Sequence, residues 1–323
     1  MPEPGDQVGH YRIDAPLGRG GEATVFEGRD AADGRRVVLK FLEPSQLGDV
    51  AAFERMRREV AIGRTLNHPG VPRLLEAHED ARPPYLVFAY TPGRSLRDIL
   101  QKEGPLPASR ALAIAASLAD VVAYCHAHHV YHRDLKPENI VVGPDGGVTI
   151  IDFGIALLDG APRVTWRGFS GLIGTPEYMA PEQIRGERGG PETDVYAAGV
   201  ILYEMLAGRP PFRSTNPLAT MYQHLNLRPE PLDRVRPDVP RPLAAIAARA
   251  LRRRPHERFP DGAALLEALR APDRVETGVL ERPDPPLASP LREGLVRHPF
   301  VILGLVGLGT AILVLLAEAL LRR

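Results

Sequence analysis

Near residue 90 the sequence changes from a strand pattern to a helix pattern, and few folds accommodate this order. Before that point, alternating apolar residues, a glycine-rich turn and the hairpin pair Asp33-Gly34 predict a meander of antiparallel strands. After it, residues 109–129 form the first of several segments typical of helices. Strands followed by helices are typical of α+β proteins. We therefore expect an α+β fold with a strand-rich lobe at 11–90 and a helical lobe at 91–270.

The composition excludes some classes of function. The chain has 40 basic and 40 acidic residues, so its net charge does not favour binding to nucleic acid. The single cysteine, Cys125, rules out an internal disulfide and a multi-cysteine zinc site. Four histidines lie between residues 126 and 132. We interpret His126 as packing in the helix core and His132 as bracing the next loop, rather than as parts of a metal cluster.

The C-terminal part carries the longest apolar stretch of the chain. Residues 300–317 contain no charged side chain, and a helix needs about 20 apolar residues to cross the hydrocarbon layer of a membrane. A buried core helix is the alternative, but a core helix usually keeps a polar face. We therefore predict one transmembrane helix at 299–321. The proline-rich residues 271–298 before it predict a semi-extended juxtamembrane linker.

A group of polar and charged residues follows the predicted helix at 109–129. Asp134, Lys136 and Asn139 lie among apolar residues, and Asp152 follows after two short strand patterns joined by a glycine turn. Such a ribbon brings Asp152 back beside Asn139. A carboxylate and an amide oxygen that converge are suited to Mg²⁺, and Asp134 is then free to accept a proton from a hydroxyl.

The glycine-rich turn at residues 17–27 opens into a strand, whereas the dinucleotide-binding motif opens into a helix. It also lacks the Gly-Lys-Ser/Thr ending of a phosphate-binding loop of the P-loop type. What remains is a flap between two strands whose backbone N–H groups can cover phosphates. Taken by itself, an ordinary hairpin turn explains this pattern equally well.

Together and in this order, these motifs resemble those of the protein kinases, in particular the eukaryotic-like Ser/Thr kinases of bacteria. The resemblance extends over residues 11–269 and implies the bilobal protein-kinase fold, with a kinase domain at 11–270, that binds ATP and Mg²⁺ between its lobes. The residues that it implies for catalysis are Asp134, Lys136, Lys40 and Glu59. Those around the nucleotide are Leu17, Gly18, Gly20, Val25, Val38, Lys40, Phe88, Tyr90 and Thr91. Those that bind the metal are Asn139 and Asp152.

The resemblance also implies supporting contacts. Glu182, in Ala-Pro-Glu, is expected to pair with Arg258, and Asp194 is expected to anchor the loop that carries Asp134. Only three lysines occur in this arginine-rich chain, and two of them, Lys40 and Lys136, stand where the family needs a compact ammonium group.

The function that the resemblance implies is a membrane-anchored Ser/Thr protein kinase. It would transfer the γ-phosphoryl group of Mg-ATP to protein hydroxyls, from the cytoplasmic side of a cell membrane that the chain crosses once. Arg133 suggests control by autophosphorylation of the activation segment, where Thr165 and Ser170 are the candidate sites or merely loop hydroxyls.

Two alternative functions and one further feature of the span stay open at this point. The chain could be a catalytically weak kinase-fold scaffold at the membrane, although Lys40, Asp134, Asn139 and Asp152 are all present. It could act on a small molecule, although Ala-Pro-Glu is typical of kinases with peptide substrates. Small residues at 304, 307 and 311 also give the predicted span a candidate face for a homodimer.

Overall fold

The computed structural model of the protein describes residues 1–21, 23–153, 157–158 and 176–284. The predicted transmembrane helix at 299–321 and the candidate phosphorylation sites Thr165 and Ser170 lie outside the described residues. Residues 1–284 form one unit by their internal contacts, and this unit has two lobes.

The N-terminal lobe is built on an antiparallel sheet. Its strands are β1 Gln7–Val8, β2 Tyr11–Arg19, β3 Ala23–Asp30, β4 Arg36–Leu42, β5 Leu74–His78 and β6 Tyr85–Ala89, in the spatial order β1-β2-β3-β4-β6-β5. In β3 the residues alternate between buried and partly exposed, so that one face of the sheet packs on a core. Aromatic rings fill this core: Phe41 stacks on Tyr85 at 5.0 Å and meets Phe26 edge-on at 5.8 Å.

One helix completes this lobe. α1 spans Val50–Thr65 and begins at Asp49, whose carboxylate accepts a hydrogen bond from the backbone N–H of Ala51. Met56 and Val60 are buried on the helix face that packs with Leu86 of β6, so the helix is held against the sheet.

The C-terminal lobe is helical. Its helices are α2 Leu96–Glu103, α3 Ala108–Ala127, α4 Pro181–Ile184, α5 Pro191–Ala207, α6 Pro217–Asn226, α7 Leu232–Val235, α8 Arg241–Ala250 and α9 Gly262–Arg270. Helix α5 is almost entirely buried and packs against α3, α8 and α9. Glycine permits the closest of these contacts, because a Cβ on Gly199 would lie 2.6 Å from the Cβ of Ala250. The α+β class predicted from the change of pattern is confirmed.

Short strands lie between the lobes and shape the loops that carry the polar residues. These strands are β7 Arg94–Ser95, β8 Val130–Tyr131, β9 Ile140–Val142, β10 Val148–Ile150 and β11 Leu157–Leu158. β9 and β10 pair in antiparallel register, with Ile140 opposite Ile150. The predicted two-stranded ribbon is therefore present, and it places the residue after β10 beside the residue before β9.

In the described ranges, α3 is the helix that is long and apolar enough to cross a membrane by length and composition. Its apolar residues, among them Ile114, Leu118 and Val122, are buried, and it packs against α5 and α9. These contacts are typical of the core helix of a globular lobe.

Residues 271–284 differ from the semi-extended linker that the prolines predict. Two short 3₁₀ turns, Pro272–Arg274 and Thr277–Leu280, fold back on the C-terminal lobe, and Val279 is buried. The buried Arg252 donates hydrogen bonds to the carbonyl oxygens of Val279 at 2.9 Å and of Pro283 at 2.8 Å. Because these carbonyls satisfy a buried guanidinium group, this segment is held on the lobe.

A buried histidine makes the stability of the lobe sensitive to acid. His224 on α6 is fully buried, and its Nδ1 lies 2.7 Å from the hydroxyl of Tyr196. Burial lowers the pKa of His224 to about 3. The unfolded chain binds this proton near pH 6.5, so the contribution to stability is full above that pH and declines as the pH falls towards 3.

We therefore expect the unfolding free energy of the wild-type protein to fall by about 3 kcal/mol because of His224 when the pH is lowered from 7 to 4. Urea unfolding at the two pH values measures this loss, and His224→Gln should lose correspondingly less because glutamine does not titrate. His256→Gln, at an exposed histidine of the same lobe, is the matched control and should behave as the wild type. An equal pH dependence in the wild type and His224→Gln would contradict the prediction.

Candidate active site

Lys40 joins the two lobes by binding two carboxylates, Glu59 of the N-terminal lobe and Asp152 of the C-terminal lobe. It lies on β4 opposite Val25 of β3, and its Nζ atom is 2.8 Å from Glu59 Oε2 on α1. The same atom is 2.8 Å from Oδ1 of Asp152, which follows β10 in the C-terminal lobe. The sequence resemblance implies catalytic roles for both Lys40 and Glu59, which the structure brings into contact, and the contact with Asp152 adds a second carboxylate.

The electrostatics of this group keep Lys40 and Asp152 charged. Burial alone would lower the pKa of Lys40, but Glu59 and Asp152 outweigh burial and raise it. Lys40 holds the pKa of Asp152 well below its usual range against the effect of burial, and His132 and Lys136 act in the same direction. Burial raises the pKa of Glu59 despite the nearby ammonium group. At neutral pH an ammonium group therefore faces the Asp152 carboxylate.

Asp134, Lys136 and Asn139 form a second group, on the loop before β9. The Nζ atom of Lys136 donates to Asp134 Oδ2 at 2.7 Å, and the amide nitrogen of Asn139 lies 3.2 Å from the same oxygen. The amide nitrogen also donates to the carbonyl oxygen of Asp134 at 2.9 Å. Because both bonds of Asn139 use its nitrogen, its amide oxygen is the atom suited to bind a cation.

The β9–β10 ribbon brings these two groups together. The backbone N–H of Ile151 donates to the carbonyl oxygen of Asn139 at 2.8 Å, which places Asp152 directly beyond the Asn139 backbone. His132 Nε2 lies 3.2 Å from the carbonyl oxygen of Ile151 and so ties the loop to the same strand end. Asp152 has φ of 66°, in the left-handed region that non-glycine residues rarely adopt. Such strain occurs preferentially at functional sites.

Helix α5 holds the loop of Asp134 through hydrogen bonds to the loop backbone. The buried carboxylate of Asp194 accepts hydrogen bonds from the backbone N–H groups of His132 at 2.8 Å and Arg133 at 2.7 Å. It also lies 3.0 Å from His126 Nε2. These bonds confirm the predicted anchoring role of Asp194 and the structural roles of His126 and His132. Within the described residues, no group of three or more His, Cys, Asp or Glu side chains is arranged to hold a metal ion.

Four of the residues predicted to surround the nucleotide share one face of the sheet: Val25, Val38, Lys40 and Phe88. Val25 is opposite Lys40, and Val38 is two residues before Lys40 and opposite Phe88 of β6. Alternation along a strand therefore directs these four side chains to one face. Of the remaining members of the predicted set, Leu17 and Gly18 lie in the last part of β2, Gly20 follows β2, and Tyr90 and Thr91 follow β6. The guanidinium group of Arg36 covers the ring of Tyr90 at 3.6 Å.

A buried ion pair anchors α4 beneath the site. Arg258 donates to both carboxylate oxygens of Glu182, at 2.7 and 2.8 Å, and the hydroxyl of Thr193 donates to Glu182 at 2.8 Å. The side chain of Arg258 is fully buried, and that of Glu182 is 5% exposed. The pairing that the resemblance implies is therefore confirmed.

Sequence reasoning missed the basic surroundings of Arg133. Its Nε atom is buried and has no hydrogen-bond partner among the described residues. Burial lowers the pKa of Arg133, and the nearby cations Arg188 and Arg58 lower it further. Arg58 directly precedes Glu59 on α1, but no local sequence signal places it near Arg133.

The arrangement offers the Lys40 cation, the carboxylate of Asp152 on a strained backbone, the Asn139 amide oxygen, and the Asp134 carboxylate, which can accept a proton. A triphosphate, a divalent cation and a hydroxyl group match these features, because phosphoryl transfer depends on positioning and on neutralising charge.

Comparisons with known proteins agree with this chemistry. The sequence model of the family described as "Protein kinase domain" matches residues 11–268. Serine/threonine-protein kinase PknB of Mycolicibacterium smegmatis is 36% identical over 282 residues, which are 85% of this chain and 44% of that protein. Probable serine/threonine-protein kinase SCO3848 of Streptomyces coelicolor is 34% identical, over 80% of this chain and 39% of that protein. PknB of Mycobacterium tuberculosis is 34% identical, over 80% and 42%. The chain thus spans less than half the length of these relatives.

Proposed function

Because this chain belongs to the protein kinase family, we propose that it transfers the γ-phosphoryl group of ATP to serine and threonine hydroxyls of proteins. The observation that carries the proposal is the contact of Lys40 with both Glu59 and Asp152, next to the group of Asp134, Lys136 and Asn139. These are the six residues that the chemistry needs, and none of them is replaced. The alternative is a catalytically weak scaffold, which the experiment at the end of this subsection would reveal as a lack of phosphate incorporation.

In this proposal, charge on the nucleotide is neutralised by the chain and by Mg²⁺. Lys40, kept cationic by its two carboxylates, holds the α- and β-phosphates. The carboxylate of Asp152 and the amide oxygen of Asn139 are hard oxygen donors, so the residues present suit Mg²⁺. When bound, Mg²⁺ neutralises charge on the phosphate oxygens of ATP.

Asp134 orients the substrate hydroxyl and accepts its proton. Lys136 and Asn139 both bind Oδ2 of Asp134, so we assign the substrate hydroxyl to the other carboxylate oxygen, Oδ1. The Lys136 ammonium then remains beside the reacting group, where it can stabilise charge on the transferring phosphoryl group. The Asp194 carboxylate keeps the backbone of this loop in place during the reaction.

The expected substrate is a protein. The motif Asp-Leu-Lys-Pro-Glu-Asn at 134–139 is typical of Ser/Thr-specific members of the family. The Glu182–Arg258 pair holds the Ala-Pro-Glu segment rigidly, and this segment is a platform for peptide substrates in relatives. The three relatives compared above are also named serine/threonine-protein kinases. These features favour a protein substrate over a small molecule.

Control by autophosphorylation of the activation segment is part of the proposal. Arg133, whose Nε atom is buried, forms with the nearby Arg58 and Arg188 a cationic site that an anion would neutralise. A phosphate on Thr165 or Ser170 could supply that anion, because phosphoserine and phosphothreonine carry close to two negative charges at neutral pH.

We also propose that residues 299–321 anchor the protein in the cell membrane, with the kinase domain on the cytoplasmic side, where ATP is available. The uncharged stretch at 300–317 supports this. Leu305→Arg with Leu308→Arg should move the protein from the carbonate-resistant membrane fraction to the soluble fraction, since each arginine costs about 3 kcal/mol at the centre of a span. Membrane retention of this double variant would remove the proposed anchor. Crosslinking within the span tests whether the small residues at 304, 307 and 311 form a homodimer seam.

The decisive experiment uses the purified full chain in detergent with isotope-labelled ATP and Mg²⁺, followed by mass-spectrometric mapping of labelled sites on the protein itself and in a lysate. Label on serine and threonine is expected, with autophosphorylation at Thr165 or Ser170. No incorporation would identify a scaffold, and label confined to small molecules would identify a different class of kinase. Either outcome rejects the proposal.

A further inference from the structure

Glu43, the residue after the strand that carries Lys40, contacts both sides of the glycine loop, which we define as residues 18–25. Glu43 directly follows β4, and its side chain is 7% exposed. Its carboxylate accepts hydrogen bonds from the hydroxyl of Thr24 and from Nη2 of Arg19 at 3.3 Å, and it forms an ion pair with Arg19 Nε at 3.2 Å. Arg19 and Thr24 are opposite each other at the base of the loop. One carboxylate therefore holds both strands that carry the loop.

The same turn also reaches the tip of the loop. Glu43 begins the 3₁₀ turn Pro44–Gln46, and the backbone N–H of Gln46 donates to the carbonyl oxygen of Glu43 at 2.8 Å. The side-chain amide of Gln46 donates to the carbonyl oxygen of Gly21 at 3.4 Å. Within the loop, the N–H of Gly20 donates to the carbonyl oxygen of Ala23 at 2.8 Å. The turn after β4 thus contacts the base and the tip of the loop.

Glu43 acts from the side of the sheet opposite the nucleotide. Thr24 is opposite Phe41, and Val25 is opposite Lys40. Since side chains alternate along strands, Thr24, Phe41 and Glu43 share the face of the aromatic core, whereas Val25 and Lys40 share the face of the active site. Glu43 therefore holds the loop without contacting the groups to which we assign the nucleotide.

We propose that Glu43 is a positioning residue that holds the glycine loop in the shape that covers the phosphates of ATP. The inference rests on the proposed function, because it assigns the loop to a nucleotide. A flexible loop must be ordered when the nucleotide binds, and a loop ordered in advance avoids that loss of conformational entropy. Glu43 supplies this order through hydrogen bonds to a charged group, which are stronger than neutral ones. The hydrogen bond from Thr24, with the charge of Arg19, lowers the pKa of Glu43 and keeps it ionised at neutral pH.

The test is Glu43→Gln in the full chain, which preserves the size of the side chain and removes its charge. We expect KM for ATP to rise roughly five-fold with kcat changed less than two-fold, because the loss falls on loop order and not on the reacting groups. In the nucleotide-free protein, hydrogen–deuterium exchange at residues 18–21 and 23–25 should become faster. Thr24→Val, which is nearly isosteric, should likewise raise KM for ATP and speed exchange in the loop. If Glu43→Gln does not fold, Thr24→Val serves as the test.

Asp14→Asn is the matched control. Asp14 on β2 pairs with Arg29 of β3 at 2.8 Å, so this substitution also removes a carboxylate–arginine pair between strands, but away from the loop. KM for ATP and exchange in the loop should not change. Equal effects from Asp14→Asn and Glu43→Gln, or no effect from Glu43→Gln and Thr24→Val, would overturn the proposal. Loss of the proposed function is a separate result: the wild type then fails to phosphorylate, while the exchange measurements still report on Glu43.

Discussion

Replacing Asp152 with asparagine is expected to lower the rate of phosphoryl transfer at least roughly 10³-fold while the protein stays folded. The substitution removes the charge that contacts Lys40 at 2.8 Å and the only carboxylate that we assign to Mg²⁺. The fold should tolerate it, because asparagine has the same size and the side chain of Asp152 is 47% exposed. Lys40 also keeps its bonds to Glu59. The measurement is the steady-state rate with saturating ATP, together with thermal unfolding.

Asp145→Asn is the matched control for this prediction. Asp145 lies in the exposed turn between β9 and β10, where it accepts a hydrogen bond from the N–H of Gly147, so its loss changes the same ribbon without changing the site. Its rate should equal that of the wild type. Lys40→Met is the second test of the same group and should be as inactive as Asp152→Asn. A rate above one tenth of the wild-type value in either variant would refute the assigned roles.

The largest effect on stability is expected from Arg258→Met. This substitution leaves the buried carboxylate of Glu182 without its cation, and breaking one partner of a buried pair costs about 3–5 kcal/mol. It also removes hydrogen bonds to the carbonyl oxygens of Arg252 at 2.7 Å and Glu192 at 2.8 Å. Unfolding by urea should show this loss, and the melting temperature should fall on the order of 10 °C.

Two further variants identify the cause. Arg254→Met removes a neighbouring arginine whose pair with Glu257 is partly exposed, so we expect a change below about 1 kcal/mol. Glu182→Met combined with Arg258→Met removes both charges and should be more stable than Arg258→Met alone, because no unpaired carboxylate is buried. If Arg258→Met destabilises the protein no more than Arg254→Met does, the buried pair is not the anchor that the structure indicates.

The main features of the site could be predicted before any coordinates were considered, because the chemistry requires particular residue types at particular spacings. Two short strand patterns and a turn were enough to predict the ribbon between Asn139 and Asp152. Local signals of this kind depend on backbone preferences within a few residues. The proline-rich residues 271–284 are the counterexample. Their composition predicts a linker, yet the carbonyl groups of this segment satisfy the buried Arg252.

The contacts of Glu43 and the surroundings of Arg133 could not be predicted in the same way. Glu43 is three residues from Lys40, but its contact with Thr24 depends on the register between β3 and β4. Arg58 lies far from Arg133 along the chain, and only the tertiary structure brings these two charges close enough to interact. Nothing in the local sequence specifies the contact of Glu43 with Thr24 or the proximity of Arg58 to Arg133.

Residue identity and order by themselves determined the class of the fold, the acidic, basic and amide groups available for chemistry, and the two lobes that carry them. The tertiary structure alone decided which charges meet: Lys40 with Asp152, Glu43 with Arg19, and Arg252 with the chain after residue 271. The physical reason is that side-chain polar contacts are short-ranged. They form only when strand register and helix packing bring distant segments within about 3 Å of each other, and burial then determines how much each contact contributes.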